Sequence, residues 1–490
     1  MSVEPIRLPS RLTPDPRRVV AKLFVPGEEA SDSQSRVHLV VDRVRGLSED
    51  EVRSGLAAVR IGFAGRHRDL DAILEHHAGL VSVRLHGTQS FTRERRLLVG
   101  AYLTHEFSVE AAALCNPSMV AHPDQAGLRD QHTRFVMSVR AIGEGHISSI
   151  EFRTGTVWPG GVDVDHPGTY LTSGERSGRD IGKAELIGYL ADLGADSVSA
   201  RQVLSDLPET FSEEALRQAM ASLHPRLLDR QAVQQAVRLA QDITASRYRA
   251  TFPAGTPLGE QLLWPQAPAE RRGMEDLRLV RHTGGEPRAT YAGTYTAYDG
   301  ARIAPHLLTT RDFETYDLEP LAGPAARNKG MALFPRPVRG QLLALSRWDR
   351  ENLSLATSLD GRFWQRGPLI RAVLDPWEFV QIGNCGSPIE TDAGWLVLTH
   401  GVGPLRTYGI GAILLDLDEP QRVVAETPLP LLTPTADERD GYVPNVVYSC
   451  GALLADGVLT IPYGISDTAV GFAQVELHPL LAQMRRVASS

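Results

Sequence analysis

Two stretches of the chain repeat one another at a fixed offset. LTTRDFETY (Leu308–Tyr316) and ATSLDGRFW (Ala356–Trp364) each carry a small hydroxyl residue, an Asp two positions later and an aromatic four after that. The pairs Thr310/Ser358, Asp312/Asp360 and Tyr316/Trp364 lie 48 residues apart. In a β-rich chain a period of roughly 40–50 residues is the mark of propeller blades. The Asp then caps a hairpin turn and the aromatic packs between blades. Two similar hairpins in a sandwich would leave the same trace.

Around this repeat three textures can be read. Residues 95–170 and 270–480 are short β runs separated by Gly, Pro, Asp and Asn. The first 90 residues mix patterns: SRVHLVVDRVRG (Ser35–Gly46) alternates like a strand, and Ser48 with Glu51 forms a capping box. The box predicts a helix through Val52, Leu56 and Val59, and a second helix follows through Leu70, Ile73 and Leu74. Residues 175–250 are helical, with a capping-box spacing at Thr210/Glu213 and apolar residues Val233, Ala236, Val237, Ala240 and Ile243 at helical intervals. The expected division is an N-terminal α/β extension at 1–94, a catalytic β domain at 95–170 and 255–482, and a helical insertion at 171–254.

The 490 residues provide ample material for a large core, and the net charge of −8 offers no global field for nucleic acid or an anionic membrane. Three well-separated cysteines, Cys115, Cys385 and Cys450, form no disulfide framework or zinc ribbon. With no apolar leader and no long apolar run, a cytoplasmic protein is expected. Appended amphipathic helices need burial, which predicts a homo-oligomer.

No P-loop, HExxH or GxSxG motif is present. What remains is a set of polar residues embedded in apolar β runs: Asn116 in ALCNPSMV, Arg140 in FVMSVRAIGEGH, and Glu275, Asp276 and Arg278 in GMEDLRLV. Lys329 in ARNKGMALFP, Arg347 in LLALSRW, His400 in WLVLTHGVG and Asp467 in IPYGISDT complete it. Each alone reads as a satisfied core polar group or hairpin ion pair, because isolated charges in apolar strands are costly unless paired or used. Strand ends that converge on one face would bring them into one pocket.

These segments resemble glycoside hydrolase family 130, the β-mannoside phosphorylases and related mannosidases. CNPSMV is similar to an early Asn-Pro segment of that family and GMEDLRLV to its Glu-Asp-Pro-Arg signature. NKGMALFP, GNCGSPIETDAGWLVLTHGVG and DGYVPNVVYSCGALLADGVLTIPYGISDT follow in the same order. The resemblance implies a mainly β protein, a five-bladed β-propeller, here with an N-terminal α/β extension and a helical insertion. It implies Asp276 as the single catalytic acid, acting through a sugar hydroxyl. It places Asn116, Arg140, Glu275, Arg278 and Asp467 at the sugar, and Lys329, Arg347 and His400 at inorganic phosphate, which serves as co-substrate; no cofactor and no metal are implied. The chain departs from the family pattern at Leu277, Gly330 and Ser346.

The chemistry fits those residues. Inverting cleavage needs an acid for the leaving oxygen and a nucleophile on the opposite ring face. Water requires a second carboxylate as base, for which Glu144 and Glu390 are the candidates. Phosphate requires a cationic cradle instead, and the planar fork of Arg suits it. The expected reaction is reversible: a β-mannoside, such as a manno-oligosaccharide, plus phosphate gives α-mannose 1-phosphate. An inverting β-mannosidase or a non-catalytic carbohydrate-binding propeller are the alternatives. Asp276 is expected to have a raised pKa, through partial burial opposed by Arg278.

Overall fold

The computed structural model describes residues 4–26, 33–82, 91–283 and 290–487. The chain divides into two compact units, one of Met1–Pro14, Ala112–Pro167 and Ser173–Ser490, the other of Asp15–Ala111 and Gly168–Thr172. Residues 1–14 therefore go with the larger unit rather than with the rest of the N-terminal segment.

The larger unit is mainly β with some helices. Its largest sheet runs from the meander Ala113–Ala121, Thr133–Ile142 and Ser148–Trp158 into a second meander, Gly273–His282, Thr290–Tyr298, Ile303–Thr310 and Thr315–Pro320. The two meanders meet through one parallel pairing, Gly273 with Ser148. Three further antiparallel sheets follow, built on Leu342–Ser346 with Leu353–Ser358, on Gly394–Val402 with Tyr408–Leu415, and on Val458–Ile465 with Ala469–Glu476. The strand Ile6–Leu12 pairs antiparallel with Ala469–Glu476, so the two ends of this unit share one sheet. Strand interiors such as Gly394–Val402 are buried along their whole length, as sheets covered on both faces require.

The repeated hairpins have one construction. Asp312 Oδ1 accepts the backbone N–H groups of Glu314 and Thr315 at 2.9 and 2.8 Å, and Asp360 Oδ1 accepts those of Arg362 and Phe363 at 2.9 Å each. Thr310 and Ser358 each accept a third turn N–H at 2.9 Å. Tyr316 and Trp364 are fully buried beneath their turns.

The helices between residues 183 and 245 close around Leu186, Leu190, Val203, Leu216, Val233 and Ala240, and this core continues onto Ala322 and Phe363. The segment also returns two strands to the large sheet, because Tyr248–Thr251 pairs with both Thr315–Pro320 and Glu175–Gly178. The Thr210/Glu213 capping box does not form. Thr210 is in a short strand, and Ser212 caps the Glu213–Ala221 helix by accepting from Ala215 N at 3.2 Å. A strand residue cannot also start the helix, and the next hydroxyl side chain takes the role.

In the smaller unit the segment expected as a strand is a helix, Ser33–Arg45. Its buried valines, Val37, Val41 and Val44, are spaced for one helical face, and the apparent alternation came from His38 and Asp42, which lie on the opposite side. Ser48 and Glu51 form the expected capping box, with Glu51 accepting the Ser48 N–H at 2.7 Å. The helices Glu49–Phe63 and Leu70–Ser82 follow. Among the described residues no helix is long and apolar enough to cross a membrane.

Candidate active site

Two matching β-bulges begin the site. In Ala113–Ala121, Cys115 pairs with Arg140 and Ser118 with Ser138, so Asn116 and Pro117 oppose one residue. In Gly273–His282, Glu275 pairs with Thr296 and Arg278 with Thr294, which leaves Asp276 and Leu277 opposite one residue. Asn116 and Asp276 take left-handed φ values of 50° and 57°. Asn and Asp tolerate this region better than other side chains do, and a bulge re-aims the residue it carries. Here both are aimed at each other: Asn116 Nδ2 donates to Asp276 Oδ1 at 2.7 Å. The two strands are stitched behind them, since Leu279 N donates to Ser118 Oγ at 3.0 Å and Ser138 Oγ to the Leu277 carbonyl at 3.3 Å.

Cations surround the acidic pair. Arg140 reaches Asp276 Oδ1 at 3.3 Å and Glu275 Oε1 at 2.8 Å, and is itself held by Ser148 Oγ, which accepts from its Nε at 2.9 Å. Lys329 Nζ pairs with Glu275 Oε2. Arg278 acts on the Asp276 carboxylate through its charge, and its hydrogen bonds go elsewhere. It donates to the Asp276 backbone carbonyl at 2.8 Å, which supports the bulge, and to the Tyr448 hydroxyl at 2.6 Å.

Tyr448 carries the network to the far side. Its ring meets His400 edge-on at 4.9 Å, and Tyr408 stacks against His400 at 6.1 Å. Arg347 Nη1 donates to His400 Nε2 at 3.2 Å, and His400 Nδ1 donates to the Asn384 carbonyl at 3.2 Å. Gly383 is required here, because a Cβ at that position would lie 2.6 Å from His400 Cε1. Asp467 has a left-handed φ of 49° in the turn before Ala469–Glu476 and interacts electrostatically with Arg140, Asp276 and Lys329.

The structure thus joins Asn116, Arg140, Glu275, Asp276, Arg278, Lys329 and Asp467 at one end, and Arg347 with His400 at the other, linked through Tyr448. The expected cationic trio is split. Lys329 is spent on Glu275, and His400 is neutral: burial, then the positive charges of Arg347 and Arg278, push its pKa well below the usual histidine range. It acts as the acceptor that orients Arg347. The expected raised pKa of Asp276 is also overturned. Burial raises it, but Arg140, Arg278, Lys329 and the Asn116 hydrogen bond outweigh burial and hold the carboxyl down to about 2. The carboxyl that is pushed up, to about 6, is Asp467, through burial and the Asp276 charge against the pull of Arg140.

Among the described residues Asn116 Oδ1, Arg278 Nε, Arg347 Nε and Asn384 Oδ1 are buried with no hydrogen-bond partner. Tyr448 was missed in the sequence because YSCG carries no charge that stands out from an apolar run. Of the two bases that hydrolysis would call on, Glu390 is exposed and clamped by Arg336, and Glu144 is exposed.

Residues 256–486 match the model of a family described as beta-1,4-mannooligosaccharide phosphorylase. The chain is 33% identical over 215 residues to the 1,2-beta-oligomannan phosphorylase of Thermoanaerobacter sp. (strain X514), covering 42% of this chain and 70% of that protein. It is 31% identical over 229 residues to the beta-1,2-mannobiose phosphorylase of Listeria innocua, covering 45% of this chain and 63% of that protein. A solved structure of the Listeria innocua enzyme with beta-1,2-mannobiose aligns over 77% of this chain and 93% of its own at 22% identity, with a TM-score of 0.44. The family match spans Glu275, Asp276, Arg278, Lys329, Arg347, His400 and Asp467 of the candidate site but not Asn116 and Arg140, and the chain belongs to glycoside hydrolase family 130.

Proposed function

We propose that the chain is an inverting glycoside phosphorylase that cleaves β-mannosides with inorganic phosphate, β-1,2-linked manno-oligosaccharides first among them. The observation that carries this reading is the half-buried guanidinium of Arg347. Its Nη1 is fixed by a neutral His400, while its Nε–H has no partner. An oriented, partly unspent guanidinium suits an oxyanion better than a water nucleophile. The β-1,2 linkage is taken from the printed activities of the two relatives above.

In the proposed reaction a phosphate oxygen attacks C1 of the mannosyl unit on the face opposite the leaving oxygen. The C1–O bond breaks, the leaving oxygen takes a proton that Asp276 supplies through a sugar hydroxyl, and α-mannose 1-phosphate departs with the shortened acceptor. Asn116 and Arg140 orient the acid. An ionised Asp276 is consistent with this role, because bound phosphate offsets the cations that hold its pKa down, and a sugar covering the carboxylate adds desolvation. Both effects raise the pKa when the two substrates are present together. We place the site in a five-bladed β-propeller. The support is the five antiparallel strand groups and the Ile6–Leu12 strand that completes the last of them.

The test is incubation with β-1,2-mannobiose, with and without phosphate. Mannose 1-phosphate that forms only with phosphate supports the proposal, and its loss in Asp276→Asn assigns the acid. Free mannose released at the same rate without phosphate would overturn it.

A further inference from the structure

Tyr448 stands between the two ends of the site with one hydrogen-bonding group left over. Its phenol oxygen accepts from Arg278 Nη2 at 2.6 Å, and the same guanidinium donates through Nη1 to the Asp276 carbonyl at 2.8 Å. The hydroxyl therefore lies beside the backbone of the proposed acid. The ring meets His400 edge-on, with centroids 4.9 Å apart, and His400 Nε2 in turn accepts from Arg347 Nη1. Within this chain of four, Arg278 and His400 are 1% and 2% exposed, whereas Tyr448 and Arg347 are only half-buried. These two are the members that keep surface with which to meet a substrate.

A phenol can donate as well as accept, and a guanidinium can only donate. Arg278 thus takes the acceptor side of Tyr448, and among the described residues the O–H proton meets no acceptor. Burial holds that proton in place, pushing the phenol pKa well above the usual tyrosine range against the Arg278 charge. A hydroxyl that accepts from a cation is in turn a stronger donor. The unspent O–H is set between the positive charges of Arg278 and Arg347. The acid end of the site instead offers carboxylate acceptors, Asp276 and Asp467, to sugar hydroxyls. Donors and cations without an acceptor suit an anion that carries several oxygens.

Building on the phosphorylase reading, we propose that Tyr448 is a phosphate-binding residue whose O–H donates to an oxygen of the phosphate that Arg347 holds. The second donor fixes the orientation of the anion, which one guanidinium edge leaves free to pivot. Because the same phenol accepts from Arg278, phosphate is also connected to the backbone that carries Asp276.

The test compares the full-length wild type with Tyr448→Phe, by steady-state kinetics on β-1,2-mannobiose and by calorimetric titration of inorganic phosphate with mannose present. Tyr448→Phe should raise both the KM and the Kd for phosphate by about tenfold or more, the loss of one hydrogen bond to an anion. The KM for the mannoside should stay within about twofold. A phenol that only held Arg278 would act through the Asp276 bulge, so its loss would lower kcat and leave the phosphate constants in place. A second protein with 3-fluorotyrosine at position 448 keeps both hydrogen-bonding groups. Its fluorine resonance should shift saturably with phosphate, with the calorimetric Kd. A phosphate Kd unchanged in Tyr448→Phe, equal rises in the two KM values, or a fluorine resonance that phosphate does not move would overturn the proposal. In each of these cases phosphate-dependent mannose 1-phosphate from the wild type would leave the phosphorylase reading standing. A wild type that binds no phosphate would overturn both.

Discussion

At the residue scale the site is a balance of charges. Two carboxyls sit in one buried cluster, yet Asp276 is drawn down to about 2 and Asp467 is pushed up to about 6. Both are desolvated and both face Arg140 and Lys329; what separates them is that Asp276 also faces Arg278 and accepts the Asn116 hydrogen bond, whereas Asp467 bears the repulsion of the Asp276 charge. The two shifts act oppositely on stability. The folded Asp467 holds its proton more tightly than an unfolded aspartate, so this group's contribution declines as pH rises from about 4 to about 6. Asp276 contributes above about pH 4 and loses that contribution as pH falls toward 2. Asp467→Asn should therefore gain in Tm relative to the wild type as pH rises from 4 to 6, with a constant offset above about 7. A pH-independent offset across that window would contradict the assignment. At Asn116, replacement by Asp sets a like charge against Asp276 and removes the donor that orients it, so kcat/KM should fall at least about 100-fold. At Arg347, Lys keeps the charge and loses the fork. Arg347→Lys should raise the KM for phosphate by about tenfold or more while changing the KM for the mannoside little.

At the element scale the site depends on two bulges and a tight turn, and the rest of the unit on repeated hairpins. Asp312 and Asp360 each accept two turn N–H groups in the same geometry. Asp312→Ala and Asp360→Ala should each cost about 1–2 kcal/mol, and should cost nearly the same, as measured by denaturant titration. That equivalence was legible because hydroxyl, Asp and aromatic recur in fixed order, each with one local job. The polar residues of the site were legible too, since charges stranded in apolar β runs have few other uses. Their pairings were not. Whether Lys329 meets phosphate or Glu275 depends on how strands far apart in sequence are placed, and no local pattern encodes it. The sign of the Asp276 shift was misjudged for the same reason, because Lys329 lies 53 residues from it in the chain. The Ser33–Arg45 segment failed differently. Its valines satisfy both a strand and a helix pattern, and packing against Val52 and Leu98 decides for the helix.

At the scale of the whole molecule, the larger unit is completed by its own first residues. The Ile6–Leu12 strand covers the edge of the last sheet, and Arg7 anchors it through Glu438, to which Tyr463 also donates at 2.6 Å. An uncovered edge strand is both less stable and prone to association. Removing residues 1–12 should lower Tm by about 10 °C or more and promote aggregation, as followed by calorimetry and light scattering. The central claim, that the half-buried Arg347 guanidinium brings phosphate to a mannosyl carbon opposite Asp276, is tested most directly by following β-1,2-mannobiose with phosphate by phosphorus and proton NMR. The account predicts that inorganic phosphate is consumed in step with the disaccharide and that α-mannose 1-phosphate and free mannose appear in equal amounts. Two mannoses per disaccharide with phosphate unchanged, or a β-linked phosphate, would contradict it.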